Sequence, residues 1–206
     1  MKRSRHPMKA VRRRVLILCE GQTEKNYFQA IKEDPEFKQQ LLAVHPQIMV
    51  AKNPSPDLLV KQAIDIARKA KAEGNSYDKI WVVFDHDNHP HRTNAYKSAE
   101  KEGFGIAFSS IAFETWYLLH FKQVGKPFQS ADHLTKEYAL HYPTYQKAKQ
   151  NDFSILKSRL EEAINNAKWL RSQLTEPVKH VTDCNPWTDV DILVEELIGE
   201  MNIFTA

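Results

Sequence analysis

The sequence is poor in glycine and cysteine and has no long apolar run. Six glycines among 206 residues exclude a collagen-like chain, and a hydrophobic fraction of 42% argues against a disordered one. Two cysteines are too few for a disulfide framework, and Cys19, which ends an apolar run, is expected to be a buried thiol. No apolar stretch approaches the roughly 20 residues of a membrane-spanning helix, and no signal-peptide pattern follows the basic N-terminus. We therefore expect a cytoplasmic globular protein with no membrane partner.

Basic residues are unevenly distributed along the chain. The formal net charge is +3, but residues 1–14 hold seven of the 29 basic residues and no acidic residue, which leaves 22 basic against 26 acidic residues elsewhere. A basic arm on a mildly acidic body suits a polyanionic partner such as nucleic acid. Arg12, Arg13 and Arg14 are the candidates for phosphate contacts, and a solubilising tail is the alternative explanation.

Apolar runs and turn signals alternate along the first 110 residues. Short apolar runs predict strands and amphipathic segments predict helices. The predicted strands are 14–19, 46–51, 79–84 and 105–109, and the predicted helices between them are 24–37, 57–73 and 92–102. Thr23 is predicted as the N-cap of the first helix. The β-α-β-α-β-α-β order predicts an α/β fold with a parallel sheet flanked by helices.

Helical patterns dominate from about residue 122 onwards. The aromatic residues of a predicted helix over 113–121 fall at helical spacing, which is typical of core packing rather than of a base-stacking platform. The longest helix is predicted over 155–174, and Thr188 can cap a final helix that ends at Glu200. We predict three parts: a basic arm (1–14), an α/β core (15–122) and a helical C-terminal extension packed on the core (123–206).

Acidic residues directly follow two of the predicted strands. Glu20 comes after the first strand, and Asp85 and Asp87 come after the third. Parallel strands end at one edge of the sheet, and ligands bind there at the point where strand order reverses. Three like charges in one pocket are costly to ionise, and a hard divalent cation such as Mg²⁺ removes that conflict, with Mn²⁺ as a second candidate. Helix caps or solvated turns are the alternative explanation for these acids.

Glu114 and several histidines lie close to this predicted edge. Glu114 follows the fourth strand, where it either faces the same edge or complements the dipole of the aromatic helix. His86, His89 and His91 crowd the loop after the third strand. A histidine-ligated Zn²⁺, Mn²⁺ or Ni²⁺ site is less favoured, because no cysteine is near and no histidine pair has i, i+4 spacing. His86 as an acid or base beside a metal is a further candidate, and a plain exposed loop is the simplest explanation.

Four blocks of the sequence resemble one family of proteins. Residues 18–24 (LCEGQTE) resemble the strand-Glu-Gly-x-Thr-Glu opening of Toprim-type domains, and residues 84–87 (FDHD) resemble their Asp-x-Asp motif. With residues 113–121 (FETWYLLHF) and 185–190 (NPWTDV), these blocks resemble the RloB-like group of Toprim-related proteins from bacterial defence and restriction loci. The blocks occur in the same order and span most of the chain.

The resemblance implies a function as well as a Toprim-like fold. It implies that Glu20, Asp85 and Asp87 bind Mg²⁺ as catalytic groups of an RNA or DNA nuclease, with Glu24 as a further catalytic candidate and Glu114 in a secondary role. The implied setting is antiphage defence. The alternative is a non-catalytic module that binds nucleic acid or senses a ligand for an ATPase partner, since RloB-like genes often neighbour one. Sugar-nucleotide transferases fit less well, because the Glu-Gly-x-Thr-Glu opening counts against them. Haloacid-dehalogenase phosphatases also fit less well, because their Asp-x-Asp follows the first strand and here it follows the third.

Overall fold

The computed structural model describes residues 13–37, 44–85, 90–149, 151–174 and 178–199. Within these ranges the strands are β1 (Arg13–Cys19), β2 (Val44–Val50), β3 (Lys79–Asp85) and β4 (Gly105–Ser109). The helices are α1 (Gln22–Glu33), α2 (Pro56–Ala72), α3 (Arg92–Lys101), α4 (Glu114–Leu119), α5 (Ala131–Ala139), α6 (Phe153–Leu156), α7 (Leu160–Ser172) and α8 (Val190–Ile198). No described helix is both long and apolar enough to cross a membrane.

The four strands form one parallel sheet in the order β2-β1-β3-β4. Residues 15–19 of β1 pair with residues 79–83 of β3, so the first and third strands are neighbours as predicted. Strand β2 lies on one side of β1, and the chain then crosses to the other side of β1 to form β3 and β4. Strand order therefore reverses between β1 and β3. The prediction of an α/β fold with a parallel sheet and a helical C-terminal part is confirmed.

The sheet separates two apolar layers. Ile17 and Cys19 of β1 face α1 and the C-terminal helices, whereas Leu16 and Leu18 face α2 and α3. Successive side chains of a strand point to opposite faces, and a strand buried on both faces reads as one continuous apolar run. This explains the uninterrupted pattern of β1, and the predicted burial of the Cys19 thiol is confirmed.

The C-terminal helices share the apolar core on the α1 side of the sheet. Helices α5, α6, α7 and α8 contribute buried side chains such as Leu134, Leu156, Leu170 and Val194 to that core. The aromatic side chains at the start of the aromatic segment, Phe113, Trp116 and Tyr117, are at most 2% exposed. Their predicted place in the core is confirmed.

Three local predictions were wrong. Helix α8 has Asp189 as its N-cap and not Thr188, although the Thr188 hydroxyl oxygen accepts the Val190 N–H at 3.2 Å. Helix α1 begins at Gln22 with Gly21 as its N-cap, so Thr23 lies inside the first turn and is not the N-cap. The sheet continues into the turn, because the Glu20 N–H donates to the Val83 carbonyl at 2.9 Å, and only Gly21 is left to link strand and helix. The helix predicted over 155–174 is interrupted by a 3₁₀ turn, Lys157–Arg159, because the backbone at its end (φ −116°, ψ 15°) leaves the helical region.

Residues 185–190 cover the outer edge of β4. The Ser110 N–H donates to the Trp187 carbonyl at 2.8 Å, and the Asp189 N–H donates to the Phe108 carbonyl at 2.9 Å. An uncovered edge strand invites pairing with other chains. This block of the sequence therefore has a structural role at the sheet edge.

Candidate active site

Glu20 and Asp85 meet at the carboxyl ends of β1 and β3. Glu20 is 8% exposed, and its Oε2 atom accepts the backbone N–H of Asp85 at 3.0 Å. The two residues therefore flank the point where strand order reverses, which is where ligands of parallel α/β sheets bind. Their predicted placement at one sheet edge is confirmed, while their binding of a metal stays a prediction.

The Asp85 carboxyl is surrounded by like charges. Loss of hydration raises its pKa well above the ordinary value, and the neighbouring carboxylates of Glu20, Glu24 and Glu114 raise it further. The ammonium of Lys147 acts in the opposite direction. Four carboxylates from the ends of β1 and β3 and the starts of α1 and α4 thus act on one another, and we call this group the acidic site.

Glu24 is the member of the acidic site that α1 supplies, and 5% of its surface is exposed. Burial raises its pKa to about 7, and Glu114 contributes in the same direction, while the backbone N–H groups of Glu24 and Gly21 oppose the shift. A Glu three residues after the N-cap can close a capping box with the N-cap N–H, which gives Glu24 an alternative, structural role. A Cβ on Gly21 would lie 2.9 Å from Glu24 Oε2, so a larger residue there would displace this carboxylate from its present position.

Glu114 is the first residue of α4 and is fully buried. Its Oε1 atom accepts the Tyr145 hydroxyl at 2.5 Å and lies 3.7 Å from Lys147 Nζ. Its Oε2 atom is buried without a hydrogen-bond partner among the described residues. Glu114 therefore faces the acidic site, as one of the two sequence-based interpretations predicted.

A strained turn brings Glu114 to the end of β4. Ile111 has φ +67°, and the Ala112 N–H donates to the Ser110 carbonyl at 2.9 Å across it, as in a γ-turn. A β-branched residue at positive φ is a real outlier, and such strain concentrates at functional sites. The Thr115 hydroxyl donates to the same Ser110 carbonyl at 2.8 Å and fixes the first turn of α4.

Several predicted site residues lie outside the described ranges or away from the acidic site. Asp87, His86, His89 and Arg12 are outside the described residues. Arg13 and Arg14 begin β1, at the opposite end of the strand from Glu20. Arg13 is 3.7 Å from a Glu196 carboxylate oxygen, and the guanidinium of Arg14 lies 4.5 Å from the centre of the Tyr77 ring. Their contact with nucleic acid stays a prediction.

The donor atoms of the acidic site are all carboxylate oxygens, the ligand type that Mg²⁺ and Mn²⁺ prefer. Two of these oxygens, Glu24 Oε2 and Glu114 Oε2, are buried without a hydrogen-bond partner in the described structure, and buried polar atoms normally have one. Among the described residues, no three His, Cys, Asp or Glu side chains are grouped closely enough to hold a metal ion. The predicted ligand Asp87 lies outside the described residues and is therefore not covered by this statement. The donor chemistry fits a hard divalent cation.

Sequence reasoning missed Tyr145 and Lys147. Both lie in the segment between α5 and α6, about 30 residues from Glu114 in sequence, and no local pattern distinguishes them from other tyrosines and lysines of the chain. Only tertiary packing brings them to the acidic site.

One family model matches the chain over almost the whole span from β1 to α8. The family model for RloB-like protein matches residues 15–197. The chain belongs to the RloB-like family. Neither the curated proteins nor the solved structures contain a significant match to it. The RloB-like match covers every described member of the acidic site, together with Tyr145 and Lys147.

Proposed function

We propose that this RloB-like protein is a divalent-metal-dependent nuclease of the Toprim type that cleaves phosphodiester bonds of RNA or DNA in antiphage defence. The observation that carries the proposal is the convergence of Glu20, Glu24, Asp85 and Glu114 where strand order reverses. Structural needs alone do not account for this arrangement, because close burial of like charges is unfavourable. Perturbed carboxyl groups in such a place are typical of functional sites.

The acidic residues have two proposed roles, metal binding and proton transfer. Glu20 and Asp85, together with Asp87, would hold Mg²⁺ or Mn²⁺. When bound, such an ion polarises a phosphoryl oxygen and lowers the pKa of a bound water. Glu24 can hold or release a proton near neutral pH, since its pKa is about 7, which suits a general acid or base. The N–H of Asp85 fixes the orientation of the Glu20 carboxylate.

The basic arm, residues 1–14, is proposed to bind the nucleic-acid backbone. Its last residues, Arg13 and Arg14, begin the seven-residue strand that ends just before Glu20. A strand of this length spans about 20 Å. A substrate that reaches both the arm and the acidic site therefore extends over about six nucleotides, at roughly 3.4 Å per nucleotide.

A second candidate function is a non-catalytic subunit that works with an ATPase partner. It is favoured by the protein contacts that members of the acidic site already make. Glu20 Oε2 accepts the Asp85 N–H, Glu114 Oε1 accepts the Tyr145 hydroxyl, and Lys147 offsets part of the negative charge. On this alternative the carboxylates are structural, and neither cleavage nor a response to divalent metal is expected.

The Asp85→Asn variant separates the two functions. We expect the parent protein to cleave RNA or DNA only with Mg²⁺ or Mn²⁺, and the variant to lose that cleavage while keeping its fold. The substitution is nearly isosteric and removes a charge that its neighbours disfavour, so stability without metal should stay level or rise slightly. Cleavage assays on both nucleic acids, with Asp65→Asn on the exposed face of α2 as the matched control, measure this.

Thermal melts test the metal site independently of cleavage. A ligand that binds only the folded state raises its melting temperature, so Mg²⁺ should stabilise the parent and Asp65→Asn more than Asp85→Asn. An equal response in all three proteins would remove Asp85 from the site. A parent that neither cleaves nor responds to metal would favour the non-catalytic subunit.

A further inference from the structure

The segment 142–149, between α5 and α6, crosses over to the acidic site and is held there at two points. The Tyr145 hydroxyl donates to Glu114 at 2.5 Å, and the Ala148 carbonyl accepts from Asn26 Nδ2 of α1 at 3.2 Å. The backbone at Ala148 has φ +61°, a conformation that L side chains rarely adopt. The stretch between the two anchors carries Lys147.

Lys147 lies on the solvent side of the acidic site. Its Nζ atom is 3.7 Å from Glu114 Oε1, and its side chain is 59% exposed whereas that of Glu114 is fully buried. Its positive charge also offsets part of the rise in the pKa of Glu24 and of Asp85. The ammonium therefore lies between the buried Glu114 carboxylate and bulk water.

The ion pair between Lys147 and Glu114 is one contact of this lysine. Its distance of 3.7 Å is long for a charge-assisted hydrogen bond, and the lysine end of the pair is largely exposed to solvent. Glu114 is already held by the shorter bond from Tyr145. The anchored backbone of the segment therefore places a positive charge beside Glu114 with its ammonium still accessible to solvent.

An anionic substrate faces an electrostatic barrier at this site. Each phosphodiester carries a negative charge, and the acidic site repels it at short range. A flexible ammonium at the entrance reduces that repulsion and offers three donors that can turn from Glu114 to a phosphate oxygen. Lysine commonly binds phosphate in this way, as a point charge.

We propose that Lys147 binds the phosphate of the nucleic-acid backbone that lies next to the acidic site, and that the segment 142–149 positions it for this contact. The inference rests on the proposed nuclease function and adds a substrate-binding residue to it. Lys147 contributes binding and local charge, while the metal-dependent chemistry stays with the carboxylates.

The test compares Lys147→Met and Lys147→Arg with Lys149→Met, a matched control on the same segment whose side chain is exposed. Binding of a cleavage-resistant single-stranded 2′-O-methyl phosphorothioate oligonucleotide is measured over a range of salt concentrations with Mg²⁺. Loss of one charge-assisted contact should weaken the binding of Lys147→Met about tenfold or more. The slope of log affinity against log salt should also fall by about 0.7, the value for one phosphate of a single strand.

Lys147→Arg and Lys149→Met should keep the slope of the parent, and melting temperatures confirm that each variant is folded. The proposal is overturned if Lys147→Met matches Lys149→Met in affinity and slope, if Lys147→Arg loses as much as Lys147→Met, or if the parent does not bind the oligonucleotide. The proposed function fails separately. A parent whose binding depends on Lys147 but which cleaves nothing contradicts the nuclease alone, and a cleaving parent indifferent to Lys147 contradicts the lysine alone.

Discussion

At the scale of single residues, the folded protein disfavours the ionised form of carboxyl groups in the acidic site. Glu24 is almost fully buried, and its pKa is raised from 4.5 to about 7 by loss of hydration and by the nearby Glu114. An acid with a raised pKa binds more protons in the folded than in the unfolded state between those two values. Stability from this group is therefore lost as the pH rises through that window.

We expect the metal-free parent to lose up to about 3 kcal/mol of stability from Glu24 between pH 4.5 and pH 7, at 1.36 kcal/mol per pKa unit. Glu24→Gln has no such titration, so its stability should fall less over this range than that of the parent. Urea unfolding in chelator at several pH values measures the difference. Comparison of variant with parent is needed, because buried His120, with its pKa lowered to about 3, makes stability rise with pH over part of the range.

Glu73→Gln, at the exposed C-terminal end of α2, is the matched control for this experiment. It should follow the pH profile of the parent. Parallel profiles for Glu24→Gln and the parent would mean that Glu24 titrates alike in the folded and unfolded states, and its proposed use as an acid or base near neutral pH would be wrong.

Sequence reasoning found some residues of the site and could not find others. Glu20 and Asp85 were predictable because each follows a buried apolar run, and parallel strands end at one edge. Tyr145 and Lys147 were not, since they reach Glu114 through the packing of a loop between two C-terminal helices. Their contacts depend on tertiary structure, which no local spacing encodes.

At the scale of elements, the strands were easier to predict than the ends of the helices. β4 has the predicted bounds, and β1 and β3 differ from prediction by one residue each. A strand that is buried on both faces of the sheet has an uninterrupted apolar sequence, which makes it easy to recognise. The start of α1 was missed because the sheet ladder extends to Glu20, a tertiary contact that displaces the cap from Thr23 to Gly21.

The segment that covers β4 depends on Asn185. Its side chain accepts the Phe128 N–H at 3.1 Å and donates to the Phe128 carbonyl at 2.7 Å, which ties the two ends of the C-terminal part together. Asn185→Ala leaves both backbone groups without these partners. We expect a loss of about 1–3 kcal/mol in the free energy of unfolding, measured by urea denaturation, with cleavage unchanged below the melting temperature.

The exposed Asn75→Ala variant, in the turn before β3, controls for the loss of an asparagine and should unfold at the urea concentration of the parent. A stable Asn185→Ala protein with impaired cleavage would contradict the structural role and would place the block 185–190 in the active site instead.

At the scale of the whole molecule, the C-terminal helices complete both the core and the site. All six residues of α4 are buried, and this helix packs against α5 and α7. The same C-terminal half supplies Tyr145 and Lys147 to the acidic site. The α/β part and the helical part therefore share one apolar layer on the α1 side of the sheet.

This shared layer makes the α/β part dependent on the rest of the chain. A fragment of residues 13–122 would expose the buried face of α4 and the α1 side of the sheet to water. We expect it to lack a cooperative thermal transition, to bind the dye ANS and to show no stabilisation by Mg²⁺, as is typical of a chain that has lost its tertiary packing. The matched fragment 13–199 should unfold in a single transition, because the α/β part and the helical part share the apolar layer on the α1 side of the sheet. Circular dichroism and ANS fluorescence of the two fragments measure the difference.

A 13–122 fragment that melts cooperatively would show that the C-terminal helices are an appended domain. If that fragment were also stabilised by Mg²⁺, the metal site would lie wholly within the sheet and the starts of α1 and α4. Metal binding would then need neither Tyr145 nor Lys147.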